Sequence, residues 1–257
     1  MALNKLFTFF KRTNRREQPR SVTQSQSAPS PALATEEGWE SGIPLELLFW
    51  DTWLASGGEP WPEDFQYRST PDAPLQSHIT DALAAMVGVD VAVLDVGAGP
   101  LTYLGKRWAD HNLTITAIDP LADEYDTLLQ KHQITPLVRT QKGFAEQLVA
   151  QFGVNRFDLV HARNCIDHSH DPWRAIQEMV AVAKPGGLLY MHHAVNEAQT
   201  QNFQGFHQWN LFCKDGDLYI GDQREEINVS QRLAPVAQVE SQLWHEGSWM
   251  INLIRKY

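Results

Sequence analysis

Cysteine is scarce in this chain: Cys165 and Cys213 are the two among 257 residues. Two thiols cannot build a disulfide framework, so nothing in the composition asks for an oxidising compartment. An excess of positive charge is missing too. Lysine and arginine number 21 against 31 aspartates and glutamates, a formal net charge of −10, and a protein that grips phosphates needs a basic surface to release counterions. That balance argues against a nucleic-acid partner and suits a small or neutral one. No apolar run approaches the roughly 20 residues needed to span a bilayer, and the N-terminus lacks a long hydrophobic stretch followed by a small-residue cleavage site. The expected location is the cytoplasm. What is present, 43% hydrophobic residues, can bury one α/β core; oligomeric state is not indicated.

The first 37 residues read as a segment apart. Leu3, Leu6, Phe7 and Phe10 fall at helical spacing among Lys5, Lys11, Arg12, Arg15 and Arg16, which makes residues 1–20 either a basic amphipathic contact for an anionic membrane surface or a protein, or a floppy tail. The Ser/Gln/Pro-rich tract after it has the composition of a linker. One domain is expected over residues 38–257, with 38–88 as an N-terminal cover and 198–234 as an insertion near the acceptor pocket, which it could wall. In the cover, apolar residues crowd Ile43 to Leu54, with Pro44 expected in a first helical turn and Gly57-Gly58 as the stop. After Pro60-Trp61-Pro62, Leu75 to Met86 resumes helical spacing.

Four short apolar runs follow, Val91 to Val96, Leu113 to Ile118, Phe157 to His161 and Gly187 to His192, with a weaker one at Thr135 to Thr140. Segments of helical pattern separate them, so the fold class is α/β: a mostly parallel central sheet with helices on both faces. The best-marked helix follows Asp171 as cap and Pro172 at its first position and ends at Lys184-Pro185-Gly186-Gly187. Alternation resumes around a Glu246-Gly247 turn, predicting a C-terminal antiparallel hairpin.

The chemistry concentrates at strand ends. In Asp95-Val96-Gly97-Ala98-Gly99-Pro100-Leu101-Thr102 the glycines follow a strand and are expected to precede a helix, letting the backbone approach a ligand at the carboxyl edge of the sheet. Thr102 stands where a dinucleotide fingerprint would put its third glycine. Asp119, an acid ending the next strand, can accept both hydroxyls of a ribose. Together they favour an adenosine-bearing cofactor, although the glycines also suit a tight turn with no ligand and Asp119 a solvated helix cap.

At this point the chain resembles the class I S-adenosylmethionine (SAM) dependent methyltransferases. Val93 to Gly99 matches the family's acid-x-Gly-x-Gly motif, Ile118-Asp119 its ribose-binding acid, Gly143-Phe144-Ala145-Glu146 its adenine-side segment, and Phe157-Asp158-Leu159-Val160 with Lys184-Pro185-Gly186-Gly187 its later motifs. The resemblance implies a Rossmann-like fold, SAM as cofactor, and a cofactor site of Asp95, Gly97, Ala98, Gly99, Asp119, Pro120, Ala145, Glu146 and Asn164. Phe144 departs from the acid many relatives carry there, and Glu146 would equally suit an exposed helix face.

SAM carries an activated methyl group, so the protein must align an acceptor and exclude water. A base is needed only where the acceptor holds a proton, and histidine is the natural choice near neutral pH. His168, in Asp167-His168-Ser169-His170-Asp171, and His193, in His192-His193, are the candidates. Asn196, Glu197, His207 and Trp209 are placed to bind a small polar acceptor, with packing as the alternative for the aromatic stretch. Asp167, His168, His192 and His193 could offer metal ligands, yet their spacing matches no ligand template, so no metal is expected. The resemblance implies methyl transfer to an oxygen, or less favourably a nitrogen or carbon, of a small molecule. Three rivals remain. Asn164-Cys165-Ile166-Asp167 replaces the motif by which base-modifying relatives grip a flipped nucleotide. Thr102 weakens a nicotinamide oxidoreductase, and the intact glycines and Asp119 weaken a catalytically inactive scaffold.

Overall fold

The computed structural model describes residues 36–83 and 88–257; the basic segment at residues 1–20 lies outside them. The chain opens with α1 (Glu36–Ala55), starting two residues before the expected boundary, then α2 (Pro62–Ser69) and α3 (Ser77–Leu83). Pro44 lies inside α1 rather than in its first turn. An interior proline costs a helix about 3 kcal/mol. Here Trp39, Ile43, Leu47 and Trp50 share one face and pack on Leu121, Tyr125 and Phe206, and burial on that scale offsets the lost hydrogen bond.

The main sheet has seven strands, β1 (Asp90–Val96), β2 (Asn112–Asp119), β3 (Thr140–Lys142), β4 (Phe157–Arg163), β5 (Ala183–Ala194), β9 (Ala237–Trp244) and β10 (Trp249–Lys256). Their order is β3-β2-β1-β4-β5-β10-β9, parallel except for the C-terminal hairpin, where β10 pairs antiparallel with both β5 and β9. The chain order reverses between β1 and β4, so the carboxyl ends of β1, β2 and β4 frame a crevice where this architecture binds ligands. Strand periodicity divides the core between two faces. Leu94, Val96, Val160, Ala162, Leu189 and Met191 face one cluster; Val91, Val93, Leu159, Leu188 and Tyr190 face the other, with Leu75, Ile79 and Leu83 of the cover.

Between the strands run α4 (Ala122–Lys131), α5 (Leu148–Phe152) and α6 (Pro172–Val182). The cap predicted for α6 is present: the Asp171 carboxylate accepts the Arg174 N–H at 2.9 Å. Lys184 to Gly187 is a bulge within β5, since Phe157 pairs with Ala183 but Leu159 with Leu188. The expected strand at Thr135 to Thr140 is displaced to β3.

Residues 97–111, where a helix was expected to follow the glycines, contain none. Their backbone is tied to the N-terminal cover instead. Leu75 N–H donates to Arg107 C=O at 2.5 Å and Lys106 N–H to Ala73 C=O at 2.7 Å, the Gln76 side chain bridges Tyr103 and Gly105, and Arg68 Nη1 donates to Leu101 C=O. Once those partners exist, a segment containing Pro100 and Gly105 gains little from helical hydrogen bonds of its own.

After β5 come α7 (Glu197–Thr200) and a separate antiparallel sheet of β6 (Asn210–Lys214), β7 (Asp217–Gly221) and β8 (Glu226–Asn228), followed by α8 (Val229–Leu233). Asp215 and Gly216, both at positive φ, form the two-residue hairpin turn. Leu211, Leu218 and Ile220 bury against the first core cluster, so most of the 198–234 insertion covers the sheet rather than walling the crevice. Among the described residues no helix is long and apolar enough to cross a membrane.

Candidate functional site

A half-open cleft of about 910 Å³, counting its mouth, lies over the carboxyl ends of β1, β2 and β4. Its floor is the turn after β1. Gly97 and Gly99 sit at φ +64°, a conformation that glycine adopts without penalty. Ala98 N–H donates to Ile118 C=O at 3.0 Å, fixing the turn to β2. The glycines also admit the protein's own side chains: a Cβ on Gly97 would come within 2.4 Å of Cys165 Cβ, and one on Gly99 within 2.8 Å of the Trp50 ring.

Asp119 closes β2. Its carboxylate accepts the Gly99 N–H at 3.1 Å and the Leu121 N–H at 3.0 Å. Burial raises its pKa to about 7, outweighing those two bonds. Asp95 is more fully committed, to His161 Nδ1 at 2.6 Å and to the Thr102 hydroxyl. Asn164, at φ +49°, ties strand ends together: its N–H donates to His192 C=O and its Oδ1 accepts the Ala194 N–H. Glu146 accepts the Asp171 N–H at 3.3 Å. Together with Ala98, Pro120 and Ala145, these residues line the cleft, so all nine residues expected from the sequence at a cofactor site converge there.

The acceptor-side candidates divide. His168 lines the cleft, and its backbone carbonyl accepts the Trp39 indole N–H at 2.9 Å. His193 is buried behind the wall; its Nε2 accepts the Ile166 N–H at 3.2 Å, and burial lowers its pKa to about 4. That bond assigns His193 to holding the Cys165–Ile166 turn. His207 reaches Asp167 Oδ2 at 2.7 Å and His168 Nε2 at 3.2 Å. Against its burial, the hydrogen bond to Asp167 raises its pKa to about 9. Trp209 donates to Ser169 C=O at 3.0 Å, so it braces the His168 loop without lining the cleft. Asn196 and Glu197 lie outside the lining as well; Glu197 is buried, and burial raises its pKa. The four histidine and aspartate positions considered for a metal do not meet: His192 packs against Trp249 while Asp167 and His168 face His207.

Several lining residues carry little local sequence signal. Trp39, Glu46 and Trp50 come from α1, Arg68 from α2, Tyr103 from the helix-free connection and Arg163 from the end of β4. Arg163 lies 3.9 Å from the Tyr103 ring centre, and its buried Nε has no hydrogen-bond partner. Trp39 packs among Phe144, His170 and Phe206. Clustered tryptophans in the cover were the available signal for this lid, and no local pattern marked Arg68 or Arg163.

Residues 94–191 match the family model described as a methyltransferase domain. An uncharacterized methyltransferase of Mycobacteroides abscessus is 31% identical over 120 residues, 46% of this chain and 46% of its own length. Another, from Mycobacterium tuberculosis, is 27% identical over 146 residues, 51% of this chain and 55% of its own. The chain thus spans about half the length of these curated relatives. Among solved structures, a SAM dependent methyltransferase from Aquifex aeolicus overlays with a TM-score of 0.47 at 14% identity, covering 80% of this chain and 98% of that one.

Proposed function

We propose that this chain is a class I SAM-dependent methyltransferase that transfers a methyl group to an oxygen of a small polar molecule held beside His168, a reading supported by the methyltransferase-domain match over residues 94–191. The observation that carries the proposal is the convergence in one cleft of a ribose-competent carboxylate, a guanidinium whose Nε has no hydrogen-bond partner, and aromatic faces. This set of groups matches the parts of SAM. Asp119 keeps lone pairs free for the two ribose hydroxyls, Arg163 offers its guanidinium to the methionine carboxylate, and Phe144 with Ala145 and Glu146 borders the adenine. Bound SAM supplies a methyl group already activated on a sulfonium.

What remains for the protein is alignment, exclusion of water and a destination for the acceptor's proton. α1 lies across the mouth, with Trp50 against the Gly99 turn and Trp39 against Phe206, and so keeps water from the reacting end. The His168 imidazole, at the cleft wall, is the group placed to receive the proton of a hydroxyl acceptor. The free thiols Cys165 and Cys213 support a cytoplasmic setting, and the acidic charge supports a small molecule over a nucleic acid.

Calorimetric titration with S-adenosylhomocysteine (SAH) and, separately, NADH tests the cofactor. Micromolar binding of SAH alone, abolished in Asp119→Ala, is the expected outcome. Binding of NADH instead, or of neither, sinks the proposal. Gly97→Arg is a poorer probe because its side chain would collide with Cys165.

A further inference from the structure

We propose that Asp167, His168 and His207 form a binding site for one divalent transition-metal ion, with the ligand preference of zinc, beside the part of the cleft wall that His168 forms. Their donor atoms come from two distant stretches of chain, the turn after β4 and the insertion after β5, and lie within 4.8 Å of one another. Asp167 Oδ2 is 2.7 Å from His207 Nδ1 and 3.5 Å from His168 Nε2, and the two ring nitrogens are 3.2 Å apart. Donors bound at about 2.0–2.1 Å around a tetrahedral zinc ion stand roughly 3.3 Å from each other. The trio therefore reaches a metal geometry by changes of up to about 0.6 Å in the separations of its donors.

Protons alone serve this arrangement poorly. A hydrogen on His207 Nδ1 can bond to Asp167, but His168 Nε2 is then left with only a long 3.5 Å approach to the same carboxylate oxygen and the protonated nitrogen of His207 at 3.2 Å. Three potential donor atoms converge on one point, and a cation that displaces the His207 proton would be held by all three. The second carboxylate oxygen, Asp167 Oδ1, is buried with no hydrogen-bond partner, which adds uncompensated negative charge beside the point. The ligand-bearing loop is also held in place: His168 C=O accepts from Trp39, Ser169 C=O from Trp209, and Asp167 C=O from the Gln208 N–H, next to the third ligand. Such outer partners orient metal ligands.

Two imidazoles and one carboxylate favour borderline ions such as Zn²⁺ or Co²⁺ over Mg²⁺ and Ca²⁺, which prefer all-oxygen sets. Asp167 is sealed, whereas the His168 and His207 side chains remain about one-fifth exposed, so three protein ligands leave a position open, as in catalytic rather than structural sites. An ion there would present that position to an acceptor oxygen. This use rests on the methyl-transfer reading; the binding of the ion does not. The metal candidates read from the sequence, Asp167, His168, His192 and His193, did not include His207, which lies 40 residues beyond Asp167.

The test is titration of chelator-treated, metal-free protein with Co²⁺, followed by its visible d–d absorption, and with Zn²⁺ by calorimetry. One equivalent should bind at micromolar affinity or tighter. His168→Ala and His207→Ala should each weaken binding by at least about 100-fold and change the Co²⁺ spectrum, while His245→Ala, in the exposed β9–β10 turn, leaves both unchanged. No stoichiometric binding, or binding that survives in the His168→Ala/His207→Ala double variant, overturns the site. Thermal unfolding and SAH titration of each variant separate a lost ligand from a lost fold. Metal binding without SAH binding would leave this site standing and remove the methyltransferase proposal; SAH binding without metal would do the reverse.

Discussion

Asp119 makes cofactor affinity a function of pH near neutrality. Burial lifts its carboxyl from the ordinary 3.8 to about 7. Ribose hydroxyls donate best to the ionised form, so the protein must release that proton when ligand binds. The apparent Kd then scales as one plus ten to the power of pKa minus pH. With a pKa of about 7, SAH should bind about tenfold more tightly at pH 8 than at pH 6, or about 1.4 kcal/mol. Stability moves the other way. The folded chain keeps a proton that the unfolded chain has lost, so stability is highest below about pH 4 as far as this group is concerned and falls as pH rises toward 7, by on the order of 4 kcal/mol. Calorimetry at pH 6, 7 and 8 reads the affinity. Asp119→Asn should bind more weakly and without the slope, because its amide sets a donor against the Gly99 or Leu121 N–H. A flat wild-type profile, or a slope that persists in Asp119→Asn, would refute the assignment.

Arg163→Met keeps the bulk of the side chain while removing the guanidinium whose Nε lacks a partner; it should raise the Kd for SAH about 10-fold or more by calorimetry, and an unchanged Kd would free Arg163 from the methionine carboxylate. Asp171→Ala removes the α6 cap and should cost about 1 kcal/mol, seen as a lower denaturant midpoint with an unchanged m-value. Leu94→Ala, in the fully buried centre of β1, should cost about 2–5 kcal/mol in the same experiment.

The strands were legible because their apolar runs are local and their alternation reports which face each residue covers; β1, β2, β4 and the C-terminal hairpin stand close to where pattern put them. The connection after Gly99 was not. Its form depends on hydrogen bonds to residues 68–76, and no window of sequence around Gly99 contains those partners. The same distinction divides the site.

Residues at strand ends, Asp95, Gly97, Gly99, Asp119 and Asn164, could be found from their own neighbourhood because the parallel sheet brings every carboxyl end to one edge. Arg68, Trp39 and Trp50 could not, since a cover finds its position by packing and not by periodicity. His193 shows the converse error. It stands at the correct edge, but strand alternation turns its ring behind the wall, onto the Ile166 N–H, while His207, from a loop with no strand signal, reaches the cluster instead. A side chain's distance from the edge in sequence therefore says less about its chemistry than the direction its backbone gives it. By that criterion His168 faces the cleft and His193 supports the turn beside it.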